Sequence, residues 1–261
     1  MTDAAFPAVA LAGGSLEVDF RKAGYDVPNK AYLEVGGELM LARVLRALRG
    51  ARSVGEIRCV TPQAAAARFP ELTALCDRVV EPGHDLIGSV LTGFAGLADD
   101  TRVLVVATDL PLLTPAAVDR FAELVDQTPC DLGYGFVERG AHDRRYGSMR
   151  HTWVRLREGT FCGGGVSVIR AGAIGRVESV LRDFTGARKS PAKMASLFSP
   201  SLAISVLLGR LSIGELERRA DQLTQLHCRG ILCPDPELAV NIDRLVDLRV
   251  VEAYLRPRNA L

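Results

Sequence analysis

Two short apolar runs, residues 9–12 and 103–107, constrain this chain more than any other feature. Neither alternates polar with apolar, and each is too short for a buried helix. That is the pattern of a strand covered on both faces. The first run, Val9-Ala10-Leu11-Ala12, opens into Gly13-Gly14; the second opens into Thr108-Asp109-Leu110-Pro111. Amphipathic helices follow. Leu41, Val44, Leu45 and Leu48 share one face of a helix over residues 38–49. Further strands are expected at 57–60 and 78–80, and helices at 64–69 and 86–97. Thr114 caps a helix that has Pro115 in its first turn and runs to about Val125. This β-α-β-α order predicts a mostly parallel sheet with helices on both faces.

After Asp131 the pattern changes. Strands are expected at 132–138 and 152–157, a glycine loop at Gly163-Gly164-Gly165, and a strand at 166–169. A helix follows over 174–181, then a partly helical stretch over 190–219 that is strongly apolar around 202–211. The end returns to strand (230–233) and helix (245–254). The 261 residues are read as a single domain, with a helical subdomain or lid over about 174–225. The lid reading rests on the basic residues Arg188 and Lys189 preceding the apolar stretch, so that residues 189–211 could close over a bound acceptor. The competing reading is a permanently buried extension or a homodimer contact.

The chemistry-bearing residues fall at the ends of these strands. Glycines at Gly13 and Gly14 let backbone amides approach an anion closely, and Lys30, after Pro28-Asn29, adds a point charge suited to phosphate. Asp109 lies where a parallel sheet holds its ligands, beyond a strand's carboxyl end. Asp243 supplies a second carboxylate. Magnesium typically takes one or two carboxylates and completes its shell with water and phosphate oxygens. Taken alone, each aspartate reads better as a helix cap or a surface residue; together with the glycine loop they point to a metal–nucleotide site.

In this order and spacing, Leu11-Ala12-Gly13-Gly14, Pro28-Asn29-Lys30, Val35-Gly36-Gly37, Thr108-Asp109-Leu110-Pro111-Leu112 and Ile242-Asp243-Arg244-Leu245-Val246-Asp247-Leu248 resemble the motifs of MobA-like nucleotidyltransferases. The resemblance spans roughly residues 8–255. It implies a three-layer α/β/α, GT-A-like fold with a mostly parallel mixed sheet and a helical insertion in the C-terminal half. It implies Mg²⁺-dependent transfer of an NMP from an NTP to a small phosphorylated acceptor, with release of pyrophosphate. Leu11, Ala12, Gly13, Gly14, Lys30, Asp109 and a base-reading Ser89 would hold the nucleotide. Asp109 and Asp243 would hold the metal, while Gly163, Gly164, Gly165, Arg188 and Lys189 would face the acceptor. The loop over residues 15–27 departs from the family: it is longer and lacks an Arg-Met-Gly tripeptide, leaving Arg21 or Lys22 to stand in for the arginine.

A formal net charge of +1 gives no electrostatic reason to expect nucleic acid as a partner. With no signal-like N-terminus and no long apolar segment, a cytoplasmic protein without membrane insertion is expected. Six scattered cysteines read as buried thiols, and without a C-x-x-C pair zinc is not expected. Two other functions fit the same residues: a GT-A glycosyltransferase using a nucleotide sugar, and a nucleotide-binding module without turnover. Lys30 favours the triphosphate. The sequence leaves the base and the acceptor open.

Overall fold

The computed structural model describes residues 5–187 and 210–256. One mixed sheet organises them. Its strands are β1 (Phe6–Leu11), β4 (Val54–Val60), β5 (Arg78–Val80), β6 (Arg102–Ala107), β7 (Leu132–Glu138), β8 (Val154–Leu156), β9 (Gly159–Arg170) and β10 (Cys228–Cys233). They run in the order β10-β7-β9-β6-β1-β4-β5, with β8 paired to the start of β9. All neighbours along that order are parallel except β9, which runs antiparallel to β6, β7 and β8.

The apolar runs are continuous because helices cover both faces. Ala8 and Ala10 of β1 face a layer formed by α2 (Met40–Gly50) and α6 (Pro115–Asp126). Val9 faces the other layer, with α5 (Leu86–Phe94) and α8 (Ile174–Ala187). Contact on that side is tight: a β-carbon at Gly93 would lie 2.5 Å from Val9 Cγ1, so glycine is what lets α5 rest on the sheet. The helix caps follow the sequence. Thr114 accepts a hydrogen bond from the Ala117 amide at the start of α6, and Asp85 accepts from Gly88 at the start of α5.

Three expectations are corrected. Glu38 and Leu39 belong to a strand, β3, paired with β2 (Glu34–Val35), and α2 begins only at Met40. Between them Gly36 and Gly37 both have positive φ, 63° and 78°, the tight hairpin turn that only such residues adopt readily. Gly163, Gly164 and Gly165 form no loop but lie inside β9. Finally, residues 15–27 are not all loop, because α1 (Val18–Lys22) folds there on the buried Phe20. A further helix, α7 (Arg139–Tyr146), escaped the periodicity argument because only His142 and Tyr146 are buried on it. The chain closes with α9 (Ile213–Thr224), β10 and α10 (Leu245–Leu255).

Most of the proposed lid, with Arg188 and Lys189, lies outside the described residues. Of its flanks, Leu211 is buried against Leu156 and Phe161. All six cysteines are buried and unpaired. No helix among the described residues is long and apolar enough to cross a membrane.

Candidate active site

The connections leaving β1 run to β4 and β5 on one side, then return to β6 on the other. The carboxyl ends of β1 and β6 therefore diverge at a topological switch point, where an open α/β sheet binds its ligands. Gly13 and Gly14 leave β1 there; Thr108 and Asp109 leave β6.

The turn after β1 is held by side chains from three other segments. The Leu11 carbonyl accepts from Thr108 Oγ1 at 2.8 Å. The Ala12 carbonyl accepts from Asn29 Nδ2 at 2.8 Å and from Thr61 Oγ1 at 3.2 Å. With these carbonyls engaged, amides are what the turn can offer to an anion. Gly14 has φ +92°, a left-handed conformation that only glycine adopts without strain. Gly13 packs beside Pro82 and Ser89. Ser89 is thus beside the turn, but it is buried and its hydroxyl donates to the Asp85 carbonyl at 2.9 Å.

Asn29 is 2% exposed and works in two directions. Its amide nitrogen ties down Ala12, while its Oδ1 accepts from the Ala31 amide at 3.0 Å and caps the 3-10 turn Lys30–Tyr32. Lys30 is the next residue, so its Cα is fixed relative to the glycine turn. Its Nζ lies 2.7 Å from Asp109 Oδ2, 2.7 Å from Asp243 Oδ1 and 3.5 Å from Glu17 Oε1. Burial alone would lower the Lys30 pKa, but attraction to Asp109 and hydrogen bonds to both aspartates outweigh it and raise the pKa. The ammonium is charged at any physiological pH.

Asp243 stands just before α10. The Ile242 amide donates to the Asp109 carbonyl at 3.0 Å, joining the two aspartate segments through the backbone. Asp247, buried on α10, accepts from the Arg244 amide at 2.9 Å, and Asp19 of α1 accepts from the Leu245 amide at 3.0 Å. The long segment after the glycines thus serves the site through Glu17 and Asp19. Arg21 is exposed on α1 and makes no ion pair among the described residues. Asn241 donates to the second oxygen of Asp243 at 2.5 Å.

Beside Asp243 opens a polar cavity of about 510 Å³, lined by Tyr134, Arg150, His151, Thr152, Cys162, Gly163, Asn241, Asp243 and Arg244. Of the three glycines on β9, only Gly163 reaches it. A β-carbon there would lie 2.1 Å from the Tyr134 hydroxyl, so glycine admits that side chain across the strand. Gly164 and Gly165 serve packing: a β-carbon on Gly165 would meet Leu110 Cδ1 at 2.8 Å, and one on Gly164 the carbonyls of Gly135 and Leu238 at 3.1 Å. His151 faces the cavity from the segment before β8. Burial, and then the neighbouring His142, push its pKa down to about 4, so it is a neutral ring at pH 7.

Asp109 and Asp243, with Glu17 behind them, form an oxygen donor set already closed around a cation. No group of three or more metal-ligating side chains occurs among the described residues. A two-carboxylate set suits Mg²⁺, which fills its remaining positions with water and phosphate oxygens. The residues fit the ion.

Residues 8–194 match the MobA-like NTP transferase domain, and the chain belongs to that family. Its fold is shared with a hypothetical transferase from Thermus thermophilus, at 30% identity and a TM-score of 0.81, over 94% of this chain and 100% of the other. A nucleotidyl transferase from Methanothermobacter has a TM-score of 0.56 at 21% identity, over 97% of this chain and 98% of its own. The 4-diphosphocytidyl-2C-methyl-D-erythritol synthase of Anaerococcus prevotii has a TM-score of 0.54 at 12% identity, over 96% and 98%. No curated protein matches the chain. The protein is an enzyme of the nucleotidyltransferase class.

Proposed function

We propose that this enzyme transfers a nucleotidyl group from an NTP to a small phosphorylated acceptor, with Mg²⁺ held by Asp109 and Asp243. The observation that carries the reading is Lys30, set 2.7 Å from each of these carboxylates at the mouth of the β1/β6 crevice. A cation and an acidic pair at one point suit a polyphosphate and its metal better than a nucleotide sugar alone.

An acceptor phosphate oxygen attacks the α-phosphorus. A bond forms between them, the bond from that phosphorus to the bridging oxygen breaks, and pyrophosphate leaves with the electron pair. Little covalent work falls to the protein, so positioning and charge neutralisation dominate. The amides of Gly13 and Gly14 and the Lys30 ammonium neutralise the leaving pyrophosphate. Arg150 and Arg244 in the polar cavity offer charge to the acceptor phosphate, and neutral His151 and Asn241 offer hydrogen bonds to its remaining polar groups. When bound, Mg²⁺ supplies Lewis-acid charge at the α-phosphate.

The test is pyrophosphate release from each of the four NTPs against a panel of sugar and polyol phosphates. One pair should turn over. Asp109→Asn should then lose at least about a hundredfold in rate while keeping its thermal midpoint, since removing a metal ligand costs several kcal/mol of barrier. Full activity of Asp109→Asn refutes the assignment.

A further inference from the structure

The cation at the centre of this site belongs to the chain itself. Lys30 Nζ makes two short charge-assisted contacts, 2.7 Å to Asp109 and 2.7 Å to Asp243, with Glu17 3.5 Å away on a third side. A magnesium ion sits about 2.1 Å from a carboxylate oxygen. An ion bridging Asp109 and Asp243 through the same oxygens therefore needs the space that Nζ fills. The lysine cannot retreat by moving its backbone, because Asn29, which precedes it, is buried and bonded to Ala12 and Ala31. Only the side chain can swing. Swinging into water exchanges two ion-paired hydrogen bonds for hydration. Swinging onto a polyphosphate at the glycine turn exchanges them for bonds of the same kind.

We propose that Lys30 is the resident cation of this site, and that it yields the carboxylates to a divalent ion only when a polyphosphate receives its ammonium. The proposal rests on the nucleotidyltransferase reading of the same residues. Metal and nucleotide then load together. A divalent ion alone competes with a tethered ammonium and binds poorly; a polyphosphate removes the competitor and brings its own oxygens to the metal. By linkage the coupling is reciprocal: the metal tightens polyphosphate binding by the same factor.

The experiment measures metal binding without turnover. Mn²⁺ is titrated into the full chain and free ion is read by its EPR signal, for wild type, Lys30→Met and Lys30→Met/Asp109→Asn. Lys30→Met should bind Mn²⁺ at least tenfold more tightly than wild type, and the added Asp109→Asn should abolish the gain. Equal Mn²⁺ affinity in wild type and Lys30→Met overturns the proposal. The nucleotidyltransferase reading fails separately, if wild type releases no pyrophosphate from any NTP. Should Lys30→Met not fold, wild type alone decides. Water-proton relaxation should report protein-bound Mn²⁺ when tripolyphosphate is present and little without it. Saturation by Mn²⁺ alone at the same concentration overturns the proposal.

Discussion

Asn29 links the turn after β1 to the segment that carries Lys30, and its loss should be felt in stability before chemistry is considered. It donates to the Ala12 carbonyl at 2.8 Å and accepts from the Ala31 amide at 3.0 Å, and it is 2% exposed. Asn29→Ala removes both bonds. The Ala12 carbonyl keeps Thr61, at 3.2 Å, so that end is only weakened. The Ala31 amide loses its cap, and an unsatisfied buried group costs about 1–3 kcal/mol. With about 1 kcal/mol for the bond to Ala12, the total comes to about 2–4 kcal/mol. Asn29→Asp separates the two ends. It keeps an acceptor for Ala31 but sets a carboxylate oxygen against the Ala12 carbonyl, where a donor is required. At neutral pH it should be at least as damaging as Asn29→Ala. Below about pH 5 the new carboxyl gains a proton, the donor returns, and the deficit should shrink. Urea unfolding at pH 7 and pH 4.5, each variant against wild type, measures all three quantities. A loss under about 0.5 kcal/mol for Asn29→Ala, or an Asn29→Asp deficit that is flat with pH, refutes the reasoning.

Two further predictions follow from packing and protonation. His151 has its pKa pushed down to about 4 by burial and His142, against 6.5 for a free histidine. Between those pH values the unfolded chain holds a proton that the folded chain refuses. Stability should therefore be complete above pH 6.5 and fall as the pH drops toward 4, by up to about 3 kcal/mol. Urea midpoints across that range should show a slope that His151→Phe removes, and an unchanged slope in the variant excludes His151 as its source. Gly165→Ala places a methyl 2.8 Å from Leu110 Cδ1 and 3.1 Å from Ala107 Cβ, so it should cost about 1–3 kcal/mol by overpacking; differential scanning calorimetry showing no loss of midpoint counts against it.

What could be read from the sequence follows physical range. The strands and helices of the first half are legible because burial on two faces leaves unbroken apolar runs, and because Thr114 caps within a turn of itself. Lys30, Asp109 and Asp243 are legible as residue types, although only Asp109 follows a strand: Lys30 opens a 3-10 turn and Asp243 precedes α10. Their mutual geometry is not, since Lys30 and Asp243 are 213 residues apart in the chain. Glu17 gives no signal at all: it sits at the start of a five-residue helix with a single buried residue, Phe20. The β9 glycines mislead because Gly-Gly-Gly reads as a loop, whereas the strand needs their missing side chains to admit Tyr134, Leu110 and the carbonyls of Gly135 and Leu238. Asn29 was visible only as part of a motif; its work on Ala12 needs the tertiary contact.

The central lysine also explains how this crevice can hold two carboxylates at all. Oxygens of Asp109 and Asp243 that both lie 2.7 Å from one nitrogen are no more than about 5.4 Å, twice that distance, from each other. Two unit charges at that distance repel by about 3 kcal/mol at an effective dielectric of 20. The Asp109 side chain is 15% exposed and that of Asp243 58%, so solvent screens the pair only from the Asp243 side. A cation between the two carboxylates offsets that repulsion. The fold supplies one covalently, from a turn that Asn29 locks to Ala12, next to the glycines proposed to receive the phosphate. The segment carrying the metal ligands and the segment carrying the phosphate grip are thereby held together before either ligand arrives. A separate backbone bond, from the Ile242 amide to the Asp109 carbonyl, joins the segment before α10 to the end of β6. A chain that lost the lysine would keep this backbone tie but lose the side-chain link between Asp109 and Asp243, unless a metal ion took the place of Nζ.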